Sequence, residues 1–132
     1  MLSLKGKRST VLIDSWAWIE YFKGTGQGQQ AAEYIDGDDE ILVSSVNIAE
    51  VYRFLLANKK EEADRLIHFL KQRSFVIDLT AELAQEAARI KHHKKHGMAD
   101  AMVLATAQAH HSLIVTGDDD FKKEANVIYI GD

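Results

Sequence analysis

Four short runs along the chain are continuously apolar: Thr10-Val11-Leu12-Ile13, Ile41-Leu42-Val43, Phe75-Val76-Ile77 and Leu113-Ile114-Val115. A fifth, Val127-Ile128-Tyr129-Ile130, is weaker. None alternates apolar with polar residues, which is how strands covered on both faces of a parallel sheet read. Between them the apolar positions recur at helical spacing: Trp16, Ile19 and Phe22; Ile48, Val51 and Leu55; Ala63, Ile67 and Leu70; Leu83, Ala87 and Ile90. These predict helices over Ser15 to Lys23, Ile48 to Ala57, Lys60 to Arg73 and Thr80 to Lys95. Ala99 to His110 is almost wholly apolar and predicts a helix buried against the sheet. Gly24-Thr25-Gly26-Gln27-Gly28 reads as a short flexible loop. The expected fold class is α/β, three-layered, with a central, mostly parallel sheet of four to five strands flanked by helices.

Composition narrows the setting. The chain has 132 residues, enough for one domain over 1–132 with a single core. It is 46% hydrophobic and 27% charged, ordinary for a soluble globular fold. No apolar run approaches the ~20 residues of a membrane helix, and residues 1–10 lack the apolar segment of a signal peptide. The absence of cysteine removes disulfides and thiolate metal sites and fits a cytoplasmic protein. A net charge of −4 leaves room for a local basic patch that binds nucleic acid.

The acidic residues are placed unusually. Asp14 follows the first predicted strand directly, and Asp118, Asp119 and Asp120 follow the fourth. In an open parallel sheet the strand C-termini share one ligand-binding edge. Glu50 sits one turn into its helix, and Asp100 opens a helix inside an apolar run. Each acid also has a plain structural reading. Asp14 and Asp118 would cap the segments that follow them, Asp100 would favour its helix N-terminus, and Asn47-Ile48-Ala49-Glu50 resembles a capping box. Caps do not require full charges, however, and converging carboxylates repel one another unless a cation neutralises them. An oxygen-only donor set suits Mg²⁺ or Mn²⁺, and such ions can activate water in phosphoryl displacement.

Taken in order, Ile13-Asp14-Ser15, Ser45-Val46-Asn47-Ile48-Ala49-Glu50, Ala99-Asp100-Ala101 and Val115-Thr116-Gly117-Asp118-x-Asp120-Phe121 resemble the PIN-domain ribonucleases. The length is similar to that of the small VapC-type toxins of toxin–antitoxin pairs. The resemblance implies metal ligands at Asp14, Glu50, Asp100 and Asp118, with Asp120 at an acidic position that sometimes joins them. Ser15 and Thr116 match small hydroxyl residues that steady the pocket. It further implies Mg²⁺- or Mn²⁺-dependent hydrolysis of RNA to 5′-phosphate and 3′-hydroxyl ends, a homodimer, and inhibition by a small antitoxin protein that inserts a tail near the site. Three positions depart from the family pattern: Trp16 replaces a frequent Asn, Ala99 a frequent Pro, and Gly117 a frequent basic residue.

Other features carry two readings. Arg53 lies one turn after Glu50, to pair with it or to hold a substrate phosphate. Lys91-His92-His93-Lys94-Lys95-His96 is the densest basic run. It reads as a solvated helix end or as an RNA or antitoxin contact through Lys94 and Lys95, and His92 and His96 have the spacing of a zinc pair. Trp16, Trp18, Tyr21 and Phe22 read mainly as core, with one or two left to stack a base or meet a partner. Tyr52, Phe54, Leu55 and Leu56 spread apolar residues around their helix, which suggests a dimer or antitoxin face. Two competing functions remain. A catalytically inactive PIN-like protein-binding module would use the same acidic rim to hold a partner. A phosphoacceptor receiver domain would need a lysine after the last strand, which is missing.

Overall fold

A computed structural model describes residues 10–95 and 97–131. Its five strands are β1 (Thr10–Ile13), β2 (Glu40–Ser44), β3 (Phe75–Ile77), β4 (Leu113–Thr116) and β5 (Val127–Tyr129). They form one sheet in the order β3-β2-β1-β4-β5, parallel throughout. The helices are α1 (Ser15–Lys23), α2 (Gly26–Ile35), α3 (Ser45–Asn58), α4 (Ala63–Arg73), α5 (Ala81–His93) and α6 (Met98–Ala109).

Alternation along β1 builds the three layers. Val11 and Ile13 point to one face and pack with Trp18, Ile35, Val51, Leu55 and Leu70 from α1 to α4. Leu12 points to the other and packs with Ala87, Ile90, Leu104 and Phe121, under α5 and α6. Both faces are therefore dry, which explains the uninterrupted apolar strands. The chain winds one way from β1 to β3, then crosses to β4 on the far side of β1. That reversal opens a crevice beyond the C-terminal ends of β1 and β4, where Asp14 and Asp118 lie. Among the described residues no helix is long and apolar enough to cross a membrane.

Four expectations are corrected. The glycine-rich stretch is not a flexible loop. Gly24 caps α1 in the left-handed conformation at φ 74°, and α2 begins two residues later. Thr25 caps α2 by accepting from the Gly28 N–H at 3.0 Å. Gly28 is glycine because a Cβ there would lie 2.2 Å from the Glu20 carbonyl oxygen, so α2 packs directly on the α1 backbone. Second, the capping box is set earlier than the sequence suggests. Ser44 is the cap of α3, and its N–H donates to Asn47 Oδ1 at 3.1 Å. Asn47 is thus inside the helix, and Glu50 has no capping duty. Third, Lys60 to Arg73 is not one helix, because a 3-10 turn over Lys60–Glu62 precedes α4. Fourth, the expected helix end at Lys95 falls at His93.

Removing the Thr25 hydroxyl tests the α2 start. Thr25→Ala is expected to lower stability by about 1 kcal/mol, read as a shifted denaturation midpoint at constant m-value.

Candidate metal centre

Asp14 occupies the N-cap position of α1, yet its side chain makes no capping hydrogen bond. It is 4% exposed. Its Oδ2 accepts from the Thr116 hydroxyl at 2.9 Å and its Oδ1 from the Asn47 amide at 3.3 Å. The same Asn47 amide donates to Ser15 Oγ at 2.9 Å, and Ser15 donates to Glu50 Oε1 at 2.5 Å. One buried amide therefore joins the end of β1 to the first turn of α3, and Ser15 carries the link to Glu50. Thr116 does similar work on the other side. Its Oγ1 also accepts from the Asp118 N–H at 3.0 Å, fixing the turn after β4.

Asp118, Asp100 and Asp120 form the second part of the cluster. Asp118 Oδ1 caps the 3-10 turn by accepting from the Asp120 N–H at 2.9 Å, so its capping reading holds alongside its place in the site. Asp100 projects from the first turn of α6 and is half-buried. Carboxylate oxygens of Asp100, Asp118 and Asp120 all lie within 4.8 Å of one another, a spacing one cation can bridge. That triad includes the exposed Asp120 and does not include Asp14 or Glu50. Asp14, Glu50, Asp100 and Asp118 instead share the wall of a cleft of about 600 Å³. Asp119 faces away and accepts from the Tyr129 hydroxyl at 2.5 Å.

The electrostatics show an uncompensated cluster. Burial pushes the Asp14 carboxyl up to about 6, with Glu50 and Asp118 adding to the rise and the Thr116 and Ser15 hydrogen bonds opposing it. Burial likewise raises Asp100 to about 7, reinforced by the charges of Asp118, Asp14 and Asp120. Among the described residues, no lysine, arginine or histidine forms an ion pair with any of these carboxylates. Oxygen donors alone, crowded and without an ion pair among the described residues, fit a hard divalent ion.

The basic candidates separate. Arg53 lines the acidic cleft and makes no ion pair with Glu50 among the described residues. Lys94 does not reach this cleft. It pairs with Glu124 at 2.8 Å and lines a different cleft beside Ser112 and Asn126, at the starts of β4 and β5. Lys95 is exposed, and neither lysine lines the acidic cleft. The zinc reading needs His96, which lies outside the described residues. The residue that sequence reasoning missed is Asn47, taken for a helix cap. Its signal was an amide set between Val46 and Ile48 at the start of a helix.

A profile of the PIN domain matches residues 11–126. The chain belongs to the PIN-domain family. Solved structures share this PIN fold over most of their length. A toxin–antitoxin complex from Klebsiella pneumoniae is 23% identical, covers 91% of this chain and 97% of its own, and superposes with a TM-score of 0.78. VapC20 of Mycobacterium tuberculosis, described as a Sarcin-Ricin loop cleaving toxin, is 15% identical over 89% of this chain and 96% of its own, TM-score 0.74. VapBC2 from Rickettsia felis, bound to a DNA fragment from its promoter, is 19% identical over 91% and 96%, TM-score 0.71. No curated protein sequence matches the chain. In this PIN domain the acidic cleft takes its carboxylates from just beyond β1 and β4, from the second turn of α3 and from the first turn of α6.

The Thr116 hydroxyl serves Asp14 and the Asp118 backbone at once. Thr116→Val is expected to weaken Mn²⁺ binding by roughly tenfold, since groups that orient ligands cost 10- to 100-fold when lost. Calorimetric titration checks this, and an unchanged affinity would mean that Thr116 orients neither acid.

Proposed function

We propose that this protein is a divalent-metal-dependent endoribonuclease, the toxin of a type II toxin–antitoxin pair, acting in the cytoplasm. The observation that carries the reading is the convergence of Asp14, Glu50, Asp100 and Asp118 on one crevice, with two raised pKa values and no ion pair to any of the four among the described residues. Asp14, Glu50, Asp100 and Asp118 would hold Mg²⁺ or Mn²⁺, with Asp120 at the outer edge. When bound, the ion supplies charge stabilisation and a more acidic water for attack on a phosphodiester. Asn47, Ser15 and Thr116 keep the acids in place before substrate arrives. Arg53 is placed to hold a neighbouring phosphate, and a guanidinium can do so with two parallel hydrogen bonds. Hydrolysis adds water to phosphorus and breaks the bond to the 3′ oxygen, leaving a 5′-phosphate and a 3′-hydroxyl.

The similar structures include a toxin–antitoxin complex and a toxin that cleaves the Sarcin-Ricin loop, which supports an RNA substrate and a small protein inhibitor here. Leu56, 44% exposed on α3, is a candidate contact for that antitoxin or for a second copy in a homodimer. Mapping of 5′-phosphate RNA ends after induced expression tests the proposal. New ends should appear at a recurrent set of sites with the wild type and vanish with Asp14→Asn. Unchanged ends in both, despite a bound protein partner, would favour the inactive binding module instead.

A further inference from the structure

The indole of Trp16 is only partly buried and lines the acidic cleft next to Asp14 and Ser15. Trp18, two residues on, is fully buried and stacks on Phe22 with ring centroids 5.7 Å apart, so the centre of the core beneath α1 belongs to it. Trp16 is held from behind by Gly117. A Cβ on Gly117 would lie 2.3, 2.4 and 2.7 Å from Cη2, Cζ3 and Cζ2 of the indole. Near-equal approach to three consecutive ring atoms places that position over the ring face, not beyond its edge. The turn between β4 and Asp118 therefore backs the indole, and any side chain at 117 would displace it. The two departures from the family pattern, Trp16 and Gly117, are thus one feature. Beyond the carboxylates the cleft wall continues through Ile19, Phe54 and Ala57, with Arg53 as the cation among its lining residues.

A ligand suited to that surface has a flat apolar face and carries a phosphate within reach of both Arg53 and the acidic end. We infer that Trp16 is a base-stacking platform, seating a nucleotide of single-stranded RNA beside the scissile phosphate. The inference rests on the ribonuclease reading above. Stacking is tolerant of base identity, so Trp16 fixes the placement of an unpaired nucleotide and favours single strands over duplexes. It acts on substrate binding and is not a cation ligand.

The test is a cycle with Trp16→Ala and RNA oligonucleotides made abasic at single positions around the cleaved bond. In the wild type, one abasic position should raise KM by about tenfold with kcat little changed. Trp16→Ala should raise KM similarly on intact RNA and become insensitive to that abasic position, while Trp16→Phe keeps most of the wild-type KM. Equal abasic penalties in wild type and Trp16→Ala would overturn the inference. A second readout avoids dependence on the alanine variant. In an Asp100→Asn background, single-stranded RNA should quench tryptophan fluorescence, with shielded Trp18 as internal reference, and Trp16→Phe should remove the change. Quenching that persists in Trp16→Phe would also overturn it. If the wild type cleaves no RNA, the ribonuclease reading itself fails; if it cleaves and Trp16 is silent, only the stacking role fails.

Discussion

Asp100→Asn is expected to lower RNA cleavage by roughly 10²–10³-fold, the loss typical of removing one electrostatic contact from a preorganised site. The same variant is expected to be no less stable than the wild type without metal, and more stable near pH 8. Burial raises the Asp100 carboxyl to about 7, and the charges of Asp118, Asp14 and Asp120 add to the rise. Above that pH the wild type carries a repelled charge that asparagine lacks, at nearly equal volume. Loss of activity with a gain in metal-free stability marks a residue kept for function. A structural acid would show the opposite, a fall in stability that drags activity with it. Thermal melts in chelator and single-turnover cleavage rates on the same preparations separate the two.

The second large effect concerns pH. In the unfolded chain Asp14 and Asp100 would ionise near the ordinary 3.8, whereas in the fold they hold protons to about 6 and about 7. Between those limits the folded state binds more protons than the unfolded one, so metal-free stability falls as pH rises from about 4 to about 7. The buried Asp14 alone accounts for about 3 kcal/mol of that fall, at 1.36 kcal/mol per pKa unit. Mg²⁺ should reverse the trend. It binds the ionised acids, so it raises the melting temperature strongly at pH 8 and little at pH 5, where it must first displace protons. Melting curves across pH 4–8, with Mg²⁺ and with chelator, check both limbs. Metal-free stability that rises over that range would show that the acids are not held protonated.

The sheet was legible because burial on both faces leaves an uninterrupted apolar run, and each of the five runs became a strand. The rim acids were legible for a related reason: parallel strands bring all their C-termini to one edge, so Asp14 and Asp118 could be placed together without a contact map. What escaped depends on approach between segments distant in sequence or on helix register. α2 was hidden because Gly26 and Gly28 depress helix propensity, and only the Glu20 carbonyl oxygen, which a Cβ there would meet at 2.2 Å, explains Gly28. Asn47 looked like a cap because the true cap, Ser44, ends a strand as well as starting a helix. Its contacts to Asp14 and Ser15 bridge more than thirty residues. Lys94 looked close to Asp100 in sequence, yet α5 ends at His93 and its ion pair with Glu124 sets it in another cleft. Trp16 and Gly117 each looked like a loss from the family pattern, and only their contact turns the two into a built surface.

The most direct measurement is cleavage of a single-stranded RNA by purified wild type, stripped with EDTA and then titrated with Mg²⁺. No cleavage in chelator, with activity restored in proportion to occupancy of a saturable Mg²⁺ site, is the expected result. Cleavage that survives chelation, or RNA left intact at every Mg²⁺ and Mn²⁺ concentration, would contradict a metal-dependent ribonuclease built on Asp14, Glu50, Asp100 and Asp118.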